Sequence, residues 1–162
     1  MNHSPVTTHI EDQPGYWIRR LQQIAVALFL QETQGLDITP VQYGTLQAIC
    51  NRPGMEQGAI AAQLGLDTST LGTVLNRMED RGWCTRRAAP HDKRVRLLHP
   101  TPQGHALLTS ILPRMQTAQA RILAPLSAHQ QQQFMQLLVT VVEGNNAHSR
   151  APTQPPNDQS GT

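Results

Sequence analysis

Apolar residues recur at helical spacing along most of the chain, and one short stretch breaks that rhythm. Over residues 15–34, Trp17, Leu21, Ile24, Ala25 and Leu28 share one face of a helix, and Gly35 stops it. Thr39-Pro40-Val41-Gln42 is a capping box with proline at the first helical position, which predicts a second helix. That helix turns Leu46, Ile49 and Cys50 inward and ends before Pro53-Gly54. A short helix over 57–64 is closed by Gly65, and Asp67 or Thr68 caps a fourth that runs to Arg81 with Leu71, Val74, Leu75 and Met78 as its apolar stripe. The rhythm then changes. Residues 83–87 and 95–99 predict two short strands joined by the polar loop 88–94. Thr101-Pro102 opens a long helix to Leu123, with Pro113 inside it predicting a kink. Ser127 to Gln130 is a second capping box, opening a last helix that carries Phe134, Leu137, Leu138, Val141 and Val142.

The fold class is therefore mainly α with a small β-hairpin. Two short helices joined at Gly65-Leu66-Asp67 and followed by a hairpin make a winged helix-turn-helix over 39–101. Helices over 15–38 and 102–144 hold more apolar surface than that lobe needs, so they are expected to build a two-fold homodimer. The unit spans 15–144. Residues 1–14 and 145–162, polar or proline-rich, are expected to be disordered tails.

Length and composition narrow the class. At 162 residues the chain can bury a core without metals or disulfides. Two cysteines, Cys50 and Cys84, do not make a disulfide framework; both are expected to be small buried hydrophobes, and a reducing cytoplasm is the expected setting. No secretory signal and no membrane-length apolar run is present, so no membrane partner is expected. The seven histidines show no metal-ligand spacing with cysteine or one another, and no nucleophile motif, phosphate loop or catalytic carboxylate pair occurs. No cofactor, metal or enzymatic activity is expected.

The net charge of +2 says little, but its placement says much. Arg81, Arg86, Arg87, Lys93, Arg94 and Arg96 fall within 16 residues, opposed there only by Asp92. Alone, such a cluster is equally a solvated hairpin. Directly after a candidate recognition helix it points to duplex DNA, whose phosphates supply most of the affinity in such contacts. The outward face of that helix is Thr68, Ser69, Thr70, Thr73, Asn76 and Arg77. Small hydroxyls let it approach the major-groove floor, while Arg77 and Arg81 are placed for phosphate.

Four stretches in order resemble the MarR (multiple antibiotic resistance regulator) family. They are Gly35-Leu36-Asp37-Ile38-Thr39-Pro40-Val41-Gln42-Tyr43 with Leu46, Ser69 to Trp83, Asp92-Lys93-Arg94, and Thr101-Pro102-Gln103-Gly104. The resemblance implies a homodimeric winged-helix transcription factor, usually a repressor. It implies that Arg94 reaches toward the minor groove and that Asp92 orients the wing arginines. Two positions depart from the pattern. Thr73 stands where many relatives carry Arg, so smaller contacts are expected to read bases. Pro100 stands where an apolar strand residue is usual, so the second strand is expected to end early.

Many members of that family respond to small phenolic or aromatic carboxylates. On the first helix, Arg20 lies at the edge of the apolar face beside Trp17 and Ile24, while Arg19 points away. A ring packed on that face with its carboxylate forked by Arg20 would be a receptor, with the Tyr43 hydroxyl adding a contact. Arg19 reaching across the dimer seam is the next candidate. The alternative is that Arg20 makes an intersubunit ion pair and Trp17 belongs to the dimer core. For the whole protein, the competing function is a winged-helix protein-interaction module without specific DNA binding.

Overall fold

The computed structural model describes residues 9–149 and 151–153. Six helices carry most of it: α1 (Pro14–Glu32), α2 (Pro40–Asn51), α3 (Gln57–Leu64), α4 (Thr68–Asp80), α5 (Pro102–Leu123) and α6 (Ala128–Gly144). Strands β1 (Met55–Glu56), β2 (Cys84–Ala88) and β3 (Arg96–Pro100) form one antiparallel sheet in the order β1-β3-β2. The expected mainly helical class with a small wing is what the chain adopts.

The caps are those read from the residue pattern. Thr39 and Gln42 bond each other's backbone reciprocally, as do Ser127 and Gln130. Asp67 accepts the Thr70 N–H at 2.7 Å, and Thr101 accepts the Gly104 N–H at 3.0 Å. Gly104 admits no side chain, because a β-carbon there would stand 2.0 Å from the Trp83 carbonyl oxygen. This contact fixes the root of α5 against the start of β2.

Two expectations are corrected. β1 was not foreseen; it pairs Met55 with Leu98 and Glu56 with Leu97, making the wing three-stranded. The second long strand does not end before Pro100, which pairs with Cys84. β1 reaches only Leu97 and Leu98, so nothing on that side of β3 asks Pro100 for an N–H. Pro113 lies inside helix α5, which runs through it as one element. Ile10–Asp12 and Asn146–His148 form 3-10 turns, and Asn146 bonds Thr153; residues 1–8, 150 and 154–162 lie outside the described set.

The core lies in the middle of the chain. Leu46, Ile49, Ile60, Leu71, Leu75, Met78 and Leu98 are fully buried, and Ile111 extends this core into α5. Burial of each such side chain is worth roughly 1.5–3 kcal/mol. Helix α6, by contrast, has no buried residue, and Leu137, Leu138, Val141 and Val142 are exposed. With Ile18, Leu21 and Ala25 of α1 and Ile122 of α5, α6 residues line an apolar groove of about 320 Å3. Among the described residues no helix is long and apolar enough to cross a membrane, and no group of three His, Cys, Asp or Glu gathers.

Candidate nucleic-acid interface

Helix α4 is amphipathic, and its two faces have separate tasks. Leu71, Leu75 and Met78 enter the core, while Thr68, Ser69, Thr70, Thr73, Asn76 and Arg77 stand exposed on the other side. The N-terminal turn is stiffened by Asp67. Its Oδ1 accepts the Thr70 N–H, and its Oδ2 accepts the Thr70 hydroxyl at 2.7 Å. The Thr70 hydroxyl hydrogen bond, with the N–H bond beside it, holds the Asp67 carboxyl below the usual carboxylate range. Thr73 donates its hydroxyl to the Ser69 carbonyl at 3.2 Å. Both hydroxyl oxygens thus have fixed positions and spare lone pairs for an incoming donor.

The wing presents Lys93, Arg94 and Arg96, all exposed. Asp92 grips the turn. Its Oδ1 accepts the Arg94 N–H at 2.9 Å, and both carboxylate oxygens lie 3.3 Å from Arg94 guanidinium nitrogens. The backbone N–H of Arg94, then its side chain, lowers the Asp92 pKa. The Arg94 side chain remains 92% exposed, so it is aimed yet open to a partner. Between wing and helix, Arg94, Arg96, Gln57, Gly58 and Thr68 line a cleft of about 290 Å3.

Two arginines expected to face DNA are engaged within the chain. Arg86 donates its Nε to Glu79 at 2.8 Å and an Nη to Asn76 at 2.6 Å, while its own N–H donates to Glu79 at 2.7 Å. From β2 it thus ties Glu79 and Asn76 of α4 to the strand. Arg81 bonds both the carbonyl and the carboxylate of Asp37, and its guanidinium lies 5.0 Å over the Trp83 ring. Asp37, held at φ 48° in the α1–α2 connection, is thereby tied to the end of α4. Both contacts escaped the residue pattern. The Arg81–Asp37 pair spans 44 residues, and Glu79 carries no motif.

The proposed effector residues are not gathered in one chain. Helix α1 buries Phe29 and half-buries Leu21, Ala25, Val26 and Leu28; Trp17, Arg19, Arg20 and Ile24 are exposed. Trp17 packs edge-on against Tyr16, with centroids 5.0 Å apart, and donates its ring N–H to the Glu11 carbonyl at 2.7 Å. Tyr43 instead packs on Phe29 with centroids 6.0 Å apart, and burial raises its pKa. Trp17 and Phe29 are 12 positions apart on α1, about 18 Å. Trp17 and Tyr43 therefore do not share a pocket within one protomer: the stripe that includes Trp17, Arg20 and Ile24 is the face α1 leaves open.

A helix-turn-helix with an exposed hydroxyl-rich second helix, a basic wing, and long flanking helices defines a winged-helix transcriptional regulator. Residues 38–95 match the model of the MarR family. Over 102 residues the chain is 36% identical to the transcriptional regulator HosA of Escherichia coli, covering 63% of this chain and 76% of that one. It is 38% identical over 100 residues to the Thauera aromatica regulatory protein for the hcr operon, covering 60% of this chain and 59% of that protein. The PcaV transcriptional regulator of Streptomyces coelicolor, solved in complex with its natural ligand, superposes with a TM-score of 0.80 at 31% identity, covering 85% of this chain and 96% of that one. The chain belongs to the MarR family of transcriptional regulators.

Proposed function

We propose that this regulator is a homodimeric repressor that binds a pseudo-palindromic operator and is released from it by a small aromatic carboxylate or phenolic compound. The observation that carries the DNA reading is the pairing of two open surfaces: the exposed hydroxyl face of α4 and the Asp92-aimed Arg94 of the wing. The first suits base edges in the major groove, and the second suits the electronegative minor groove beside it. Thr68, Ser69, Thr70, Thr73 and Arg77 are the base- and phosphate-facing set on the helix; Lys93, Arg94 and Arg96 are the wing set. The exposed apolar residues of α6 and the groove they share with α1 support a dimer. Two-fold symmetry then places half-sites about 10 bp apart.

The effector reading rests on PcaV, a relative solved with its natural ligand, and on the open cationic stripe of α1. Arg20 lies on the open stripe of α1 with Trp17 and Ile24, while Arg19 points away from it; a second protomer closing that stripe would bring a carboxylate to Arg20 at the dimer seam, with Arg19 reaching across the seam as the next candidate. Fluorescence anisotropy tests the whole proposal. Labelled duplex recovered by the protein from a random-sequence pool should bind with a steep salt dependence. Arg94→Ala should weaken it and flatten the log–log salt slope by about one. Benzoate- or phenol-type acids should lower its affinity in wild type and not in Arg20→Ala. Unchanged binding and slope in Arg94→Ala would remove the wing assignment; an effector response retained in Arg20→Ala would move the receptor to Arg19.

A further inference from the structure

The end of α6 does not trail off. Asn145 donates its side-chain amide to the Val141 carbonyl at 2.8 Å, and a 3-10 turn follows over Asn146–His148. Asn146 then closes a clasp seven residues wide. Its Nδ2 donates to the Thr153 carbonyl at 2.7 Å, and its Oδ1 accepts the Thr153 N–H at 2.9 Å and hydroxyl at 3.1 Å. A primary amide thus pairs with one residue's backbone in both directions, as a strand neighbour would. Inside the clasp the Ala151 N–H donates to the Ser149 hydroxyl at 3.3 Å.

The clasp lies on the helix-turn-helix. Gly65 closes α3 at φ 63°, with its N–H donating toward the Ala62 carbonyl and the Leu66 N–H to that of Ala61. A β-carbon at Gly65 would stand 3.4 Å from Thr153 Cγ2 and 3.5 Å from the Ala151 carbonyl oxygen. Asn146 and Ala151 are half-buried by this arrangement. The lobe is therefore held at three places: where α5 leaves it beside Trp83, where Arg81 grips Asp37 of the α1–α2 connection, and where the chain returns to it at Gly65.

We propose that residues 145–149 and 151–153 act as a strap by which the end of α6 holds the turn of the helix-turn-helix and so sets the orientation of the DNA-binding lobe. The consequence for DNA rests on the operator-binding reading above. Each tie removes part of the lobe's freedom to swing; the one at Gly65 acts on the turn of the helix-turn-helix itself before DNA arrives, and a pre-set lobe binds more tightly than a swinging one.

Full-length wild type, Asn146→Ala and Gly65→Asn separate the two parts. Asn146→Ala removes all three clasp bonds and leaves the lobe untouched. Gly65→Asn keeps the left-handed turn, which Asn tolerates, and puts a side chain where the strap lies. In hydrogen exchange, both should speed amide exchange at residues 145–149, 151 and 153, and Asn146→Ala should also speed it at Gly65 and Leu66, by about fivefold or more. Affinity for duplex recovered from a random-sequence pool should fall about three- to tenfold in both, with an unchanged salt slope because no phosphate contact is lost. Unaltered exchange at Gly65 and Leu66 in Asn146→Ala would overturn the strap. Unchanged or raised affinity would overturn its role in orientation. Should wild type recover no duplex, the operator reading fails, and the exchange result still decides whether the strap is docked.

Discussion

The lobe and the arms spend their apolar residues in opposite ways. From α2 to β3 Val41 is the one large apolar side chain left exposed, and Leu46, Ile49, Ile60, Leu71, Leu75, Met78 and Leu98 are sealed from solvent. Along α1 and α6, Trp17, Ile18, Ile24, Leu30, Leu137, Val141 and Val142 lie open. The lobe closes its own core within one chain, whereas the arms are complete only against something else. Regulation fits that division: a self-contained reader keeps its shape, and the less complete part is where a second protomer or a small molecule can change the geometry.

Attacking the lobe should cost most. Leu75→Ala leaves a cavity in the closed core and should destabilise folding by about 2–5 kcal/mol, read as a fall in the denaturant midpoint. Leu137→Ala and Val142→Ala should instead leave the lobe's unfolding nearly unchanged at high protein concentration and raise the dimer dissociation constant in sedimentation. If both kinds of variant lower the concentrated-protein midpoint equally, the contrast between the two regions is false.

The joint between them comes next. Asp37→Asn removes the carboxylate that Arg81 grips while keeping an acceptor. The pair is largely exposed, so folding stability should move by less than about 1 kcal/mol. Trp83 emission should shift as Arg81 loosens above its ring. Emission identical to wild type would mean that Arg81 is held by the ring alone.

Acid should act on the reader's edges before its core. Asp67 and Asp92 are both held below the ordinary carboxylate value of about 3.9, by Thr70 and by Arg94 respectively. A depressed carboxyl contributes stability that is complete above that ordinary value and is lost as pH falls through the lowered one. The helix cap and the wing turn should therefore be intact at pH 5 and loosen only below about pH 4, followed by exchange at the Thr70 and Arg94 amides. Loosening near pH 6 would implicate a histidine instead.

The smallest effect is chemical. Burial, reinforced by nearby Glu79, pushes the Cys84 thiol up to about 12, and burial also raises that of Cys50. Neither should be appreciably alkylated by iodoacetamide in the folded protein at pH 7.5 within minutes. Rapid labelling of Cys84 would show that the lobe opens readily after all.

What the residue pattern disclosed follows the same division. Capping boxes, proline at the first helical turn and the α4 stripe are local, and each appears in the structure where the letters place it. The two-residue β1 was hidden because a pair of residues has no period, and Pro100 misled because its tolerance depends on how far β1 reaches. For Arg86 and Arg81 the charge was visible in sequence and the pairing partners were not: Glu79 and Asp37 meet them only in the folded chain. The stripe of Trp17, Arg20 and Ile24 was legible as a stripe, but a helical wheel does not say which of two apolar faces a single chain covers.

Helix α5 is bolted to the lobe where Gly104 meets the Trp83 carbonyl, and its other end lies among the arms. Its 22 residues make a rod about 33 Å long. Such a rod converts angle into distance: a tilt of about 5° at one end carries the other roughly 3 Å, more than half a helical turn. Run in reverse, a displacement of a few ångströms among the arms, the size of one small ring inserted at a seam, needs no change inside the reader to turn its recognition helix. The absence of any side chain at Gly104 makes this transmission stiff, since backbone lies directly on backbone with nothing compressible between. Substituting that glycine would therefore be felt as lost gearing as well as lost fit.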